Sequence, residues 1–373
     1  MNKISIFSFF SGAGLLDLAF EKNNYNIVFV NEYNENFLTS YIYSRQQMGI
    51  EMPAYGCSTK SAVWFSKGKG KRKLREMIEI EKSKGNLVGF IGGPPCPDFS
   101  IGGKNAGAKG ENGKLTKTYF DLICRCRPDF FLFENVKGLF RTAKHRSFYN
   151  EMTMKIKANN YIISDKLLNS LNYAVPQSRE RIFMIGMQAK HIKSIINIEK
   201  TFDFDWEKYH KFDDTDISRY IWPTQQRFLQ NSKRKFKYDA PKELTVEFWF
   251  QKNDVFNHPN GCDVFKVKQG KAKINTYPEG DTQCKSFKRL HRWRYSPTAA
   301  YGNNEMHLHP YKPRRLSVAE VMAIQSLPPS FCLPSDSTLS SKFKMIGNGV
   351  PFLLADAIAR TLKDYISQED YHV

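Results

Sequence analysis

The sequence lacks the marks of secreted, disulfide-rich and membrane-spanning proteins. It contains seven cysteines, an odd number, and no two of them form a CxxC pair, so neither a disulfide framework nor a closed zinc site is expected. No run of about 18 apolar residues occurs, so no membrane span is predicted. The amino terminus leads directly into a predicted strand, without an apolar stretch and a small-residue cleavage site. We therefore expect a protein of the reducing cytoplasm.

Acidic residues are also scarce. The 373 residues include 56 Lys and Arg against 37 Asp and Glu, which gives a net charge of +19. Such an excess indicates an anionic partner, with nucleic acid the leading case, although a merely basic soluble protein would have the same composition. The densest basic run is residues 67–75, where the composition favours a solvated loop and helix start over a DNA contact.

Short apolar runs alternate with helical patterns in the first half of the chain. Strands are predicted at Lys3–Phe10, Asn26–Asn31, Leu87–Gly92, Asp129–Glu134, Tyr161–Leu168 and Arg181–Met187. Helices are predicted between them, at Gly14–Glu21, Asn34–Gln47, Arg72–Lys84, Tyr119–Arg127 and Ala143–Asn159. This alternation is typical of an α/β fold with a mostly parallel sheet that is covered on both faces.

The pattern changes after about residue 190. Residues 190–312 are irregular, aromatic and basic, with scattered Pro, Gly and Asn. Helical patterns return at Ser317–Gln325 and Pro351–Tyr365. We therefore predict one domain formed by residues 1–189 and 313–373, with a second module of residues 190–312 inserted in it.

A glycine-containing turn, residues 10–14 (Phe-Ser-Gly-Ala-Gly), follows the first predicted strand, and Glu32 stands at the end of the second. Glycines there let a ligand approach the backbone at a helix N-terminus, and the carboxylate can accept both ribose hydroxyls of an adenosine. A structural turn fits this pattern as well as a cofactor site does. Asp17 stands where the dinucleotide fingerprint GxGxxG has its third glycine, which counts against a nicotinamide-dependent dehydrogenase.

Cys96 lies in the segment 92–97 (Gly-Gly-Pro-Pro-Cys-Pro), directly after a predicted apolar strand. A lone cysteine is most often a small buried hydrophobe. A proline-stiffened loop at the carboxyl edge of a parallel sheet, however, is a poor place for packing and a good place to hold a nucleophile.

Two further polar segments adjoin apolar strands. Glu134 follows four apolar residues at a strand's carboxyl end, where a raised pKa would suit acid–base work and pairing with a lysine is the alternative. Arg179 and Arg181 alternate with Glu180, so both arginines face one side of an extended chain. Such a pair can hold a carboxylate, a phosphate or a base edge, or form a salt-bridged strand.

Taken in this order, the four segments resemble the DNA (cytosine-5) methyltransferase family. The resemblance continues in residues 314–320 (Arg-Arg-Leu-Ser-Val-Ala-Glu), 325–328 (Gln-Ser-Leu-Pro) and 347–351 (Gly-Asn-Gly-Val-Pro). It covers roughly residues 1–190 and 312–365, and the insert lies where the family has its target recognition domain. The resemblance implies a Rossmann-like, S-adenosylmethionine-dependent methyltransferase fold.

The resemblance also implies a reaction, the methylation of C5 of a cytosine that has been flipped out of duplex DNA. Cys96 is the implied nucleophile that adds to C6, and Glu134 the residue that holds the base and helps to protonate N3. Arg179 is expected to brace the base and the developing charge, whereas Arg181 supports Glu134 or its loop.

S-adenosylmethionine is the implied methyl donor. Seven residues match family positions near it, namely Phe10, Gly12, Gly14, Glu32, Pro94, Asn348 and Val350. Two residues depart from the family pattern, because Ser8 stands where many members have Asp and Pro97 replaces the more usual Gln. No carboxylate for the adenine is assigned near residues 55–58. No metal is expected, since His307 and His309 lack further close ligands in the sequence.

The implied partner is double-stranded DNA, with a cognate restriction endonuclease that acts separately. A bacterial, cytoplasmic monomer is expected, because one chain carries both modules. A tRNA cytosine-5 methyltransferase is the main alternative, since base flipping would serve either substrate. A non-catalytic DNA-binding relative is disfavoured because Cys96, Glu134, Arg179 and the glycine turn occur together. A nicotinamide-dependent oxidoreductase would have no use for residues 94–96.

Overall fold

The computed structural model describes residues 3–95, 111–192, 202–266, 271–284, 287–298 and 305–368. The predicted nucleophile Cys96 and its neighbour Pro97 lie outside these described residues. All statements below concern the described part of the chain.

Most strands belong to one central sheet. Its members are β1 Ile4–Phe9, β2 Asn26–Asn31, β3 Cys57–Ser58, β4 Leu87–Gly92, β5 Phe130–Val136, β6 Tyr161–Asn169 and β8 Glu180–Gln188. The remaining strands are short, namely β7 Gln177–Ser178, β9 Phe287–Arg289, β10 Ser296–Pro297 and β11 Met306–Leu308. The central sheet has the order β3-β2-β1-β4-β5-β8-β6, and the short strands pair as β10–β7 and β11–β9.

Helices cover this sheet. They are α1 Leu15–Lys22, α2 Glu35–Gln47, α3 Gly68–Ser83, α4 Glu111–Cys126, α5 Lys137–Arg141, α6 Ala143–Ala158, α7 Asp214–Arg219, α8 Val246–Lys252, α9 Lys271–Thr276, α10 Val318–Ile324, α11 Leu339–Asn348 and α12 Phe352–Gln368. Short polar side chains begin several of them. The Asn34 side chain accepts a bond from the backbone N–H of Phe37, and Ser317 with Glu320 forms a capping box. None of the described helices is both long enough and apolar enough to cross a membrane.

The sheet is mostly parallel, as predicted. β1 to β5 run parallel, whereas β8 is antiparallel to both β5 and β6. β6 and β8 are joined by residues 170–179 without a crossover helix. A short connection of this kind reverses the direction of the chain, because two parallel strands need a long crossover between them. The α/β fold class is confirmed, and the antiparallel strand is the detail that the alternation of strands and helices did not predict.

Apolar side chains fill both faces of the sheet. On one face, α1 and α12 pack against it through residues such as Phe20 and Leu362. On the other face, α3, α4 and α6 contribute Leu74, Phe120 and Met152. Burial on both faces explains why the strands are continuous apolar runs rather than alternating ones.

Residues of the predicted insert share apolar clusters with the sheet domain. Trp249 and Leu290 pack in one cluster with Ala319 of α10. Phe204 and Trp206 pack in the cluster that contains α12. The boundaries at residues 190 and 312 therefore stay predictions, and the early part of the insert, residues 202–206, packs on the sheet domain.

Candidate active site

A cavity of about 730 Å³ opens at the carboxyl ends of β1, β2, β4 and β5. This is the edge at which open parallel α/β sheets bind ligands. Its lining contains nine residues predicted to form the site, namely Phe10, Gly12, Glu32, Pro94, Glu134, Arg179, Arg181, Asn348 and Val350. Gly14 does not line it. Residues from six separate stretches of the chain thus converge on one space, and Pro95, the residue before Cys96, also lines it.

The glycine turn between β1 and α1 has left-handed backbone at Gly12 (φ +59°) and Gly14 (φ +78°). The two glycines serve different purposes. At Gly12 an added Cβ would meet nothing within 4 Å, so this residue leaves the turn open towards the cavity. At Gly14 it would lie 2.5 Å from Arg45 Nη1 and from the Tyr41 ring. Gly14 is therefore needed for close packing behind the turn.

Arg45 of α2 holds this turn from behind. Its guanidinium, which is fully buried, donates from Nη1 to the Ala13 carbonyl (3.1 Å) and from Nη2 to the Gly14 carbonyl (2.7 Å). It also forms an ion pair with Glu21 at 3.0 Å. The arginine thus supplies donors to two carbonyls that lie before the first turn of α1.

Glu32, at the end of β2, joins the glycine turn to the start of α2. Its Oε2 accepts a bond from the Gly12 N–H and its Oε1 from the Asn34 N–H, both at 2.8 Å. Burial raises the pKa of this carboxyl, while the backbone donors act against the rise. The next residue, Tyr33, lines the cavity with 73% of its surface exposed. Tyr33 belongs to none of the motifs, and its place directly after Glu32 is the only sequence signal for it.

Ser8, which stands where many family members have Asp, pairs with the carboxyl group of Asp17. The Ser8 hydroxyl donates to Asp17 Oδ1 at 2.8 Å, and both side chains are buried. Asp17 Oδ2 is buried without a hydrogen-bond partner among the described residues, and Asp17 lines the cavity. Burial raises the pKa of Asp17 to about 7, and the nearby Arg45 opposes the rise. The sequence pointed to Asp17 only as a mismatch to a glycine fingerprint.

Glu134 lies at the carboxyl end of β5, beside Arg181. The two side chains form an ion pair, with 3.3 Å between Arg181 Nε and Glu134 Oε1. Burial raises the pKa of Glu134, and the positive charges of Arg181 and Arg179 act against the rise. Gly93 faces the carboxylate so closely that an added Cβ would lie 2.6 Å from Glu134 Oε2. Glycine at this position therefore keeps room for the carboxylate at the cavity wall.

Arg179 is 1% exposed and reaches across to the end of α11. Its Nη2 donates to the carbonyls of Gly347 (2.8 Å) and Gly349 (3.1 Å). Gln325 donates to the neighbouring Ile346 carbonyl at 2.8 Å. Because the last carbonyls of a helix have no partner within it, these side chains satisfy them and hold the 347–350 turn beside the cavity.

The two histidines considered as metal ligands are both buried. His309 Nδ1 accepts bonds from the backbone N–H groups of Tyr311 (3.2 Å) and Lys312 (3.1 Å), so it supports a loop. Within the described ranges, no group of three or more His, Cys, Asp or Glu side chains could hold a metal ion.

The fold and the cavity together define an α/β protein with a cofactor-sized site at the carboxyl ends of its parallel strands. Residues 4–364 match the family model described as C-5 cytosine-specific DNA methylase. The chain is 50% identical to the Type II methyltransferase M.NmeDI of Neisseria meningitidis serogroup C, over 98% of this chain and 84% of that relative. It is 27% identical to the Type II methyltransferase M.FnuDI of Fusobacterium nucleatum, over 98% of this chain and 96% of that relative.

Among solved structures, that of a prophage-encoded E. coli protein has a TM-score of 0.65 at 20% identity, and covers 98% of this chain and all of that chain. This likeness concerns the fold alone. The family match and the 50% identical relative decide the assignment, and the chain belongs to the C-5 cytosine-specific DNA methylase family. It is a DNA (cytosine-5) methyltransferase with a Rossmann-like fold, and its methyl donor is S-adenosylmethionine. The DNA assignment is favoured over the tRNA alternative.

Proposed function

We propose that Cys96, Glu134, Arg179 and Arg181 carry the methylation of cytosine, and that the cavity described above holds the methyl donor beside them. The observation that supports this most directly is the convergence of Glu134, both arginines and the glycine turn on one cavity. Pro95 lines the same cavity, and Cys96 follows it in the chain.

The residues of the cavity fit S-adenosylmethionine. Glu32 offers a carboxylate at the end of β2, and its oxygens can accept hydrogen bonds from the hydroxyls of a ribose. Tyr33 offers an exposed ring at the rim, and ring faces stack on bases. Asp17 Oδ2 is a buried oxygen without a partner among the described side chains, and it suits the positively charged end of the donor. When bound, S-adenosylmethionine supplies an electrophilic methyl group.

The protein's own residues then act on the base. The Cys96 thiolate forms a bond to C6, and the displaced electron pair moves through the ring towards C5 and N3. Burial raises the pKa of Glu134, which favours its protonated form, and a protonated carboxyl beside the base can donate to N3. C5 then takes the methyl group, and the donor leaves as the neutral thioether S-adenosylhomocysteine. The C5 proton leaves to a water molecule, the N3 proton returns to Glu134, and the Cys96–C6 bond breaks with its electron pair on sulfur, which restores the aromatic ring and the Cys96 thiolate.

The arginines have two distinct places in this proposal. Arg181 is paired with Glu134, so it orients that carboxyl and limits the rise of its pKa. Arg179 holds the end of α11 and adds a positive charge near Glu134. It therefore braces the base-binding wall and favours negative charge that develops there.

We extend the proposal to the insert and to the biological setting. Residues 190–312 act as the target recognition domain, whose basic and aromatic residues contact phosphates and read bases. The enzyme works as a cytoplasmic monomer that meets its DNA in the nucleoid, and a separate endonuclease cleaves the same unmethylated site. The Type II methyltransferase relatives support this last point.

The test uses labelled S-adenosylmethionine, mixed-sequence duplex DNA and tRNA, followed by digestion to nucleosides. We expect 5-methylcytosine in DNA with the native chain, none above background with Cys96→Ala, and a rate about 10²–10⁴-fold lower with Glu134→Gln. Bisulfite sequencing then identifies the target site. Full activity of Cys96→Ala would refute the assignment of the nucleophile, and labelled tRNA with unlabelled DNA would refute DNA as the substrate.

A further inference from the structure

A basic surface lies on the sheet domain, outside the insert and the cavity. Between Glu51 and Glu76 the chain has no Asp or Glu, and six cations follow one another closely at its end. We call these six residues the basic ridge: Lys67, Lys69, Lys71, Arg72, Lys73 and Arg75. They occupy the residue before α3 and the first half of that helix.

The side chains of the ridge are available to a partner. All are exposed except Lys71, which is half-buried. In the described part of the chain, none of the six forms an ion pair or a side-chain hydrogen bond to another residue. Solvated cations on a surface are common, so exposure alone does not indicate a ligand.

The order of charges along α3 is unfavourable for the helix itself. The first turn contains no acidic residue, and the acids Glu76, Glu79 and Glu81 stand in the second half. A helix dipole favours the opposite order, with acids near the N-terminus and bases near the C-terminus. Proteins break such local rules mainly at functional sites, where another requirement outweighs the stability of the helix.

The ridge lies at the edge of the sheet where the cavity opens. The chain enters α3 from Ser61 and Ala62, which line the cavity. It leaves α3 at the opposite edge, where the Asn86 side chain donates to Glu81 Oε2 at 2.8 Å just before β4 begins. A helix of 16 residues spans about 24 Å, so its basic first half lies on the cavity side.

The ridge is also rigidly placed. Residues 62–66 form a 3-10 turn that rests on the start of α3. At Gly70 an added Cβ would lie 2.2 Å from the Trp64 carbonyl oxygen, so turn and helix are in direct backbone contact. On its other side, α3 contacts α4, the helix that follows residues 96–110 in the chain. The cations therefore have a defined position relative to the active site.

We propose that the basic ridge binds the phosphate backbone of the DNA that flanks the target cytosine. The inference rests on the proposed function, because the cavity has to receive a base from that DNA. Lysine and arginine contacts to phosphates position a protein on a duplex and carry no sequence information. The ridge thus adds affinity from the catalytic side, whereas the insert is left to read the sequence. This replaces the expectation that residues 67–75 are merely solvated.

The experiment compares two double variants that each remove two positive charges. Lys69→Gln/Arg72→Gln removes charge from the ridge. Lys3→Gln/Lys22→Gln is the matched control, since both residues are exposed and lie at the start of β1 and the end of α1, which is the opposite edge of the sheet. Binding of an unmethylated duplex that contains the target site is measured from low to moderate salt. The Kd for S-adenosylmethionine and the Tm are measured as well.

We expect the ridge variant to bind DNA about 5- to 20-fold more weakly at low salt. The slope of log K against log salt should become shallower by about 1–2, because each lost phosphate contact removes roughly one unit of slope. The control should change neither quantity by as much. The Kd for S-adenosylmethionine should stay the same, and the Tm of the ridge variant should be unchanged or higher, since the removed charges oppose the helix dipole. Weaker DNA binding by a protein that is no less stable cannot result from misfolding.

Equal salt slopes for the ridge variant and the control would overturn the proposal, because net charge would then explain the effect. A loss of affinity for RNA with DNA binding unchanged would overturn it in favour of another nucleic acid. The proposed function fails differently, through the absence of 5-methylcytosine in DNA incubated with the native chain.

Discussion

The sheet domain and the insert stabilise their buried backbones in different ways. In the sheet domain, the backbone N–H and carbonyl groups of neighbouring strands pair in a seven-stranded sheet. The insert has short helices and strand pairs of two or three residues in its described part. Its buried carbonyls therefore need other donors, since an unpaired buried carbonyl is costly.

Buried arginines supply many of these donors in the insert. The Arg289 guanidinium, which is fully buried, donates to the carbonyls of Tyr277, Ile274, His309 and Lys312. Arg292 donates to the Ser232 carbonyl and forms a two-bond pair with Glu279, at 2.8 and 3.0 Å. One planar guanidinium with five donors thus satisfies several buried carbonyls, which in a sheet would be paired with the N–H groups of a neighbouring strand.

The same arrangement occurs inside the sheet domain wherever its backbone is irregular. Arg45 serves the glycine turn, and Arg179 serves the end of α11. Buried arginine therefore accompanies irregular backbone in either region. In the sheet domain these irregular places adjoin the cavity.

The largest expected effect comes from breaking the buried pair in the insert. Arg292→Met would leave the Glu279 carboxylate, which is 0% exposed, without its charge partner. We expect the free energy of unfolding to fall by about 3–5 kcal/mol, as measured by urea denaturation. DNA binding should weaken more than binding of S-adenosylmethionine, because the cofactor cavity belongs to the sheet domain.

The double variant Arg292→Met/Glu279→Gln is the control for that prediction. It removes the uncompensated charge and should recover part of the lost stability. A loss below about 1 kcal/mol in the single variant would show that the pair contributes as little as a surface pair does.

A smaller effect, of opposite sign, is expected at Asp17 in the sheet domain. The pKa of Asp17 is raised from 3.8 to about 7 in the folded protein, so the folded state holds this proton more tightly than the unfolded chain. Its contribution to stability is fully present below about pH 4 and is lost as the pH rises to about 7. Asp17→Asn lacks this dependence.

The stability of Asp17→Asn relative to the native chain should therefore rise between pH 4 and pH 7, by on the order of 2–4 kcal/mol. Guanidine unfolding at several pH values measures this difference. The charged groups that face Asp17 include Arg45 and Glu21, and neither is changed in the variant. A difference that stays constant with pH would contradict the prediction.

The smallest effect concerns Arg45 and the cofactor. Arg45→Met removes the donors to the Ala13 and Gly14 carbonyls, which should loosen the glycine turn. We expect the Kd for S-adenosylmethionine to rise about tenfold, which corresponds to about 1.4 kcal/mol, as measured by calorimetry. Arg45→Lys keeps the charge near Glu21 but cannot bridge both carbonyls. Its Kd for S-adenosylmethionine should therefore lie between those of the native chain and of Arg45→Met. An unchanged Kd in both variants would show that the turn keeps its shape unaided.

Much of the fold could be predicted because its signals are local. The strands are continuous apolar runs, and β2 and β4 have the predicted bounds. The start of α3 was placed at Arg72, whereas the helix begins at Gly68, since a lysine- and glycine-rich start has little apolar periodicity. The antiparallel β8 was missed because its direction depends on which strands it joins.

The candidate site could be predicted in part. The family motifs named nine of the residues that line the cavity, and the roles of these residues stay predictions. The place of Gly14 beside the cofactor stays a prediction, and the structure adds that Gly14 packs closely against Arg45 and Tyr41. Arg45, Tyr33 and Asp17 carry no motif of their own, so short patterns do not select them for the site.

The α/β class, the family and the order of the motifs follow from the sequence alone, because periodicity and short motifs are properties of neighbouring residues. Which polar groups meet depends on the tertiary structure. Ser8 bonds to Asp17, and Arg179 reaches the end of α11. These contacts join residues that are 9 and 168 positions apart in the chain, and their energies depend on burial and on distances that a linear pattern does not contain.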